Sequence, residues 1–433
     1  MQLVLIDMKN ILFILILLIY FSSNAWAVDV TLGTEFEIDG SDTEMFNIQE
    51  ISTDKFVTCW SDAGPGKCKV ATVSGTTPTF GDENEFNADI LVGATAHAVM
   101  GVAKVVTDRF AVFFVSDAAD DDGFTNAGTV TTTTIDNYGT ELEFDTSDIE
   151  EAVGAGNIAD NKSVLTYNDE LDSQTCKSVV CTNDTTPDQT CGTPLECDSG
   201  TDFWPQATDT IKLATDKWVS CFSANDDGDD GYCVVGTAST TTITYDVSPS
   251  EFLEGTIVHI GVCSPSRYGG TDNRFVVVYD DSGNTEATAG TVSTRTITYG
   301  TALTSIDSTT DANAQRCTFV TETKFLVGWA DKTNSTGTMR LLTVNWATRA
   351  ITAADADEED FLAAMLGNNF ERYLVDITVL SDFDGTTPKV AIAYVKEAGD
   401  FLFGVIGDLS FAVAGTTTVI QGDVVIQGDM VIQ

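Results

Sequence analysis

Seven times along this chain a basic residue is followed five positions later by an aromatic one. The pairs are Lys55/Trp60, Arg109/Phe114, Lys162/Tyr167, Lys217/Phe222, Arg274/Tyr279, Lys324/Trp329 and Lys389/Tyr394. The basic residues are spaced by 54, 53, 55, 57, 50 and 65 positions. A period of this size marks an array of similar units. No unit can bury its apolar face alone, so the units must stack on one another.

Residues 96–145 show how one unit is built. They contain four β-prone runs, at 97–106, 109–116, 125–132 and 133–144, rich in Val, Thr and Phe and alternating apolar with small or polar residues. Thr107-Asp108 separates the first two runs and the acidic stretch 117–123 separates the second and third. Four short antiparallel strands per roughly fifty residues make one blade of a β-propeller. With strands lettered A to D outward from the centre, the basic residue opens strand B. Period-two alternation then puts positions 1, 3 and 5 after it on one face. In the fifth unit these are Phe275, Val277 and Tyr279, an apolar face expected to pack against the next blade. The repeated aromatic is read as core.

The seventh unit offers A, B and C strands at 373–380, 390–395 and 402–409. Near the start of the chain, Val30–Ile38 has the character of a D strand without a blade of its own, much like 138–144. The expectation is an all-β, seven-bladed propeller of four-stranded antiparallel blades, with the N-terminal strand closing the last blade. The competing register draws that outer strand from 411–420. Residues 413–433 are hexads (VIQGDV, VIQGDM) resembling the start of a β-helical or stalk module, through which the chain could self-assemble.

Residues 1–27 read as a signal peptide: Lys9, an apolar run over 11–20, and Ala25-Trp26-Ala27 as cleavage site. No second stretch is long enough to span a bilayer. The propeller then covers 28–412, in a secreted or cell-surface protein. Lys+Arg number 21 against 66 Asp+Glu, a net charge of -45. Such a surface repels phosphate backbones and anionic headgroups, which argues against nucleic acid as a partner. The even count of ten cysteines fits disulfides in an oxidising compartment. Cys59 with Cys68, and Cys221 with Cys233, fall across B–C turns and are expected to pair. Cys263 and Cys317 occupy A-strand regions of adjacent units and are expected to link two blades. Cys176, Cys181, Cys191 and Cys197 crowd the third unit and allow three connectivities.

The acidic B–C turns are the candidates for chemistry. Asp120, Asp121 and Asp122 in the second unit, and Asp226, Asp227, Asp229 and Asp230 in the fourth, set carboxylates around an intervening glycine, a pattern that can ligate Ca²⁺. The alternative is a solvated acidic turn. His97 and His259 are expected on inner strands of blades 2 and 5, facing each other across the channel. No nucleophile elbow, zinc-protease, phosphate-loop or dinucleotide motif appears, so no catalytic residue is assigned.

The units resemble the β-propeller repeats of secreted and surface proteins with the form [DN]-[RK]-F-V-V-x-[YW]-x-D, then G-T-V, then T-I-T-Y-G, over about residues 30–410. The resemblance implies an extracellular ring serving recognition or adhesion, with a glycan or protein as partner. A polysaccharide-active hydrolase or lyase with its site at the channel mouth, and a structural subunit of an extracellular filament, are the other readings. Propellers host many activities, so the fold does not decide among them.

Overall fold

The structure is a computed structural model. It describes residues 28–411 apart from 41–42, 44, 62–63, 89, 91–99, 117–120, 148, 150–153, 170–174, 184–186, 198–202, 225–229, 258, 269–272, 295, 305, 307–311, 332–335, 363–374, 381–387 and 397–400. The signal peptide over 1–27, the hexads over 413–433 and the competing outer strand beyond Phe411 lie outside the described residues.

Seven antiparallel sheets follow one another along the chain, each ordered A-B-C-D. The A strands are Met45–Ser52, Met100–Val106, Gly154–Ala159, Phe203–Ala214, Ile260–Cys263, Ala312–Phe319 and Val375–Leu380. The B strands are Lys55–Ser61, Arg109–Ser116, Lys162–Asp169, Lys217–Ala224, Arg274–Asp281, Lys324–Asp331 and Lys389–Lys396, so all seven basic residues open a B strand. The C strands are Gly66–Ser74, Asp122–Thr131, Thr175–Asn183, Asp230–Ser239, Asn284–Ser293, Thr336–Asn345 and Phe401–Phe411. Each A strand contacts the next, and the seventh contacts the first, so the sheets close into a ring.

The last blade takes its outer strand from the other end of the chain. Val28–Leu32 and then Phe36–Asp39 pair antiparallel with Phe401–Phe411. This is the closure expected from the sequence. The D position is filled by two short segments rather than one in blades 1, 2, 3 and 7. Glycine explains the break: Gly81 donates its N–H to Val70 O at 3.0 Å, and a Cβ there would stand 1.9 Å from Thr133 O in the next blade. Gly33 sits the same way against Thr76, where the seventh blade meets the first.

The aromatic residue of each pair is buried in every blade, as core. The direction of packing differs from expectation. Phe275, Val277 and Tyr279 of blade 5 pack on Val219 and Cys221 of blade 4, the preceding blade, while Val276 and Val278 face blade 6 and its Phe325, Val327 and Trp329. The same sense holds from blade 7 to blade 1, where Ala391, Ala393 and Val395 meet Phe56 and Trp60. Alternation alone separates the two faces but cannot say which neighbour each one meets.

In blades 1, 3 and 4 the basic residue clamps the following blade. Lys55 Nζ lies 2.9 Å from Asp108 of blade 2, Lys162 Nζ 2.6 Å from Asp216 of blade 4, and Lys217 Nζ 2.8 Å from Asn273 of blade 5. Each partner is the turn residue just before the next basic residue. Asp108, Asn161 and Asp216 hold φ near +60° there, a conformation Asp and Asn tolerate better than most residues. In all seven blades the carbonyl at that turn position accepts an N–H from strand C, from Val73 to Asp54 at 2.8 Å through Leu409 to Pro388 at 3.0 Å. Asp216 is well exposed, so the charge pair is worth little: Lys162→Met is expected to cost roughly 0.5 kcal/mol in urea unfolding at low salt and less in high salt. An equal loss at both salt concentrations would assign the effect to packing of the lysine stem.

Five disulfides staple the ring: Cys59–Cys68, Cys221–Cys233 and Cys263–Cys317 as expected, and Cys176–Cys197 and Cys181–Cys191, which settle the open pairings of blade 3. Three join residues directly opposite across a hairpin. Cys263–Cys317 joins the inner strands of blades 5 and 6. Small closed loops of this kind each stabilise by roughly 2–3 kcal/mol in the chain-entropy model, and all five suit an oxidising environment.

Candidate functional site

The inner strands place one residue from each blade at a common level, opposite the fourth residue after the basic one. These are Asn47, Gly101, Gly154, Asp209, Gly261, Arg316 and Asp376. Glycine keeps the strands close at this level: a Cβ on Gly154 would stand 2.8 Å from Asp209 Cα, and one on Gly261 2.7 Å from Gln315 O. The charged residues bridge blades. Asp209 accepts the N–H of Thr210 and, from blade 5, that of Val262, both at 2.7 Å. Asp376 accepts the N–H of Ile377 at 2.9 Å and, across the closure, that of Ile48 in blade 1 at 2.8 Å. Arg316 donates through Nη1 to Ile260 O of blade 5 at 2.8 Å and to Gln315 O at 3.1 Å.

Burial pushes both carboxyl groups up, Asp376 to about 6. Arg316 opposes the rise at both, as do the N–H donors, and Asp209 adds repulsion at Asp376. The three side chains form one coupled set, two acids sharing a guanidinium. Each acid already accepts two backbone N–H groups. The set therefore braces the ring across its blades.

The adjoining cavity, of about 370 Å³, is lined by residues from all seven blades. Towards the A–B turns its wall includes Gln49, Glu50, Lys104, Asn157, Lys212, Ser264, Ser266 and Phe319. Lys104 Nζ is 3.1 Å from Glu50 Oε1. Asn157 spends its amide on Val105 O, Ala159 O and Lys162 O. Lys212 has no acidic partner among the described residues. The A–B connection has two residues in blades 1 to 4 but ten in blade 5, where the short 3₁₀ turn Pro265–Tyr268 contacts the inner strand of blade 4. This mouth therefore differs from blade to blade.

The acidic turns are less uniform than their sequences. Asp120, Asp226, Asp227 and Asp229 lie outside the described residues. Asp121 has φ +65°, and its carbonyl accepts from Ile149 N at 3.0 Å. Asp122 opens strand C opposite Ser116. Asp230 is buried and accepts the N–H of Gly255 at 2.9 Å; Asp280 holds the N–H of His259 in the same way at 2.7 Å. These two acids pin the connection that leads to the following blade. No group of three or more potential metal ligands occurs among the described residues. His97 lies outside the described residues. His259 precedes the inner strand of blade 5 instead of lying on it, with Nδ1 3.9 Å from Asp280 Oδ1. It is held at the rim by Asp280 and is not an inner-strand residue.

Asp209, Asp376, Arg316 and Lys212 were not singled out from sequence. The available signal was a charge inside an apolar inner strand, as in Asp209-Thr210-Ile211 and Asp376-Ile377-Thr378. The residue type at this level varies among Asn, Gly, Asp and Arg and its spacing changes in blades 5 and 7, so the pairing with strand B is what aligns all seven.

No protein-family model matches the chain, and no curated protein matches it. Solved structures are similar at low identity. A protein from Lactobacillus plantarum is 14% identical over 83% of this chain and 94% of its own, with a TM-score of 0.48. AofleA from Arthrobotrys oligospora is 10% identical over 79% and 94%, with a TM-score of 0.43. The NanB sialidase from Streptococcus pneumoniae, in a mutant form, is 9% identical over 87% and 70%, also at 0.43. These likenesses carry no argument of their own; by its own seven sheets and their ring of contacts the chain is an all-β, seven-bladed propeller held by five disulfides.

Proposed function

We propose that this chain is a secreted, non-catalytic binding propeller that recognises a glycan or protein at a cell surface through the A–B mouth of its channel. The observation behind this reading is the use of the channel carboxylates. Asp209 and Asp376 each hold two backbone N–H groups, and Glu50 holds Lys104. A glycosidase needs two carboxyl groups free to act on the scissile bond. The cavity is of the size that holds a single sugar unit or a long side chain, and Lys212, Gln49, Ser264 and Phe319 give it a cation, hydrogen-bonding groups and a ring.

A glycan and extracellular-matrix array probed with the purified chain tests this. Binding without turnover is the expected result, with Lys212→Ala weakening it about tenfold, the order of one lost charged contact. Release of oligosaccharide from any screened polymer would overturn the reading in favour of a hydrolase or lyase. Repeating the array with EDTA tests Ca²⁺ at Asp226, Asp227, Asp229 and Asp230: unchanged binding and thermal stability would leave those acids as a solvated turn.

A further inference from the structure

Blade 3 buries a set of ionisable groups that the channel does not use. Asp169 closes strand B, and Lys177 lies on strand C opposite Tyr167, two residues earlier. Asp169 and Lys177 are thus diagonal neighbours on one face of the hairpin. Lys177 Nζ contacts Asp169 Oδ2 directly and lies 4.0 Å from Asp145 Oδ2, which blade 2 contributes from its outer strand. Tyr167 donates its hydroxyl to the same Asp145 oxygen. Ser147 Oγ donates to Asp169 Oδ2 at 2.6 Å. The Asp169 side chain is fully buried, and those of Lys177 and Asp145 are each 12% exposed. Phe144 stands edge-on to Tyr167 at 5.5 Å and completes an aromatic wall.

A buried lysine–carboxylate pair is costly to desolvate, so converting it to a neutral amide removes that cost. A primary amine held against a carboxylic acid, beside a second carboxylate able to carry a proton, is the arrangement that forms an amide. We propose that Lys177 and Asp169 become joined by an intramolecular isopeptide bond, with Asp145 as the proton carrier. A proton passes from the Lys177 ammonium to the Asp169 carboxylate it touches, leaving Lys177 as the amine. Its nitrogen lone pair attacks Asp169 Cγ and forms the new N–C bond. Asp145 takes the proton that the nitrogen sheds and returns it to the departing hydroxyl. The C–O bond breaks and water leaves. An ammonium and a carboxylate thereby give one amide and one water, with no change of oxidation state and no co-reactant. Tyr167 orients Asp145, and Ser147 steadies the Asp169 oxygen.

The position fits the way this chain is already secured. Blades 1 and 4 staple their B–C hairpins with Cys59–Cys68 and Cys221–Cys233. Blade 3 has no B–C disulfide; its cysteines tie strand C outward, through Cys176–Cys197 and Cys181–Cys191. The amide would give blade 3 a covalent B–C link like those of blades 1 and 4. Lys389 and Asp408 serve as an internal control. They also touch, but Asp408 is 36% exposed, so this pair is open to water.

Peptide mass spectrometry of the reduced, alkylated, trypsin-digested protein tests the bond. The expected result is loss of cleavage after Lys177, and a peptide from Ser163 to Lys212 lighter than its sequence by one water. Cleavage after Lys389 is unaffected. Lys177→Arg restores cleavage at 177 and full mass. Asp145→Asn, with its fold checked by circular dichroism, lowers the cross-linked fraction at least tenfold. A wild-type peptide ending at Lys177 with full mass would overturn the bond. A bond that forms undiminished in Asp145→Asn would overturn the role of Asp145.

Discussion

A chain beginning at residue 41 is expected to lose on the order of 5 kcal/mol of stability relative to one beginning at residue 28, a large part of what a domain typically has. Residues 28–39 provide the whole outer strand of blade 7. Their loss removes the buried Ile38, worth roughly 1.5–3 kcal/mol by transfer. It also removes the bond from Gly33 N to Ile406 O at 2.8 Å, the one from Lys69 Nζ to Ile38 O at 2.8 Å, and the Glu35 carboxylate that receives the Tyr394 hydroxyl at 2.7 Å. Each bond contributes about 1 kcal/mol. The truncation also exposes the edge of Phe401–Phe411, which invites aggregation. Urea unfolding of the two proteins measures the difference. A synthetic peptide of residues 28–40 added in trans is expected to restore much of it. Equal midpoints would mean that the ring holds without this strand.

That closure could be read before any coordinates, and the reason is physical. A strand with D-type alternation and no blade of its own must pair somewhere, and the seventh blade needed an outer strand, for which 411–420 was the competing source. The B strands were legible for a similar reason: a basic residue at the turn and an aromatic five positions on recur because each blade meets its neighbours in the same geometry. Cys59–Cys68 and Cys221–Cys233 followed directly, since a strand register fixes what lies opposite. The sense of blade packing was not legible, because alternation names two faces and no neighbour. Nor was the level shared by Asp209, Arg316 and Asp376, which lie 8, 8 and 13 positions before Lys217, Lys324 and Lys389. The spacing is 8 in five blades and 13 in blades 5 and 7, but the residue type at the level changes from blade to blade, so no repeated letter marks it. The clamp role of the basic residues stayed hidden too, because Lys162 and Asp216 are 54 residues apart and meet only once blades 3 and 4 stack.

Asp376 is expected to make this propeller firmer in mild acid. Its carboxyl sits at the seam between the last and first blades and reaches Ile48 N of blade 1. Burial holds its pKa near 6, above the ordinary 3.8, against the pull of Arg316 and of the Ile48 and Ile377 N–H groups, and with added repulsion from Asp209. The folded state therefore binds this proton more tightly than the unfolded chain does. The corresponding stability is fully present below pH 3.8 and is lost as the pH rises through about 6. Between pH 7 and pH 4.5 the wild type should gain about 2 kcal/mol from this group. Neutralisation of the acidic surface adds a gain of its own. Asp376→Asn separates the two, because it cannot titrate yet keeps one oxygen for the Ile48 N–H. At pH 7 the variant should lie close to the wild type: it is spared the buried charge but leaves the Ile377 N–H less well satisfied. At pH 4.5 it should fall about 2 kcal/mol behind, to be read from urea midpoints at the two pH values. If the two proteins gain equally between pH 7 and pH 4.5, Asp376 does not carry a shifted proton, and the acid response belongs to the surface alone.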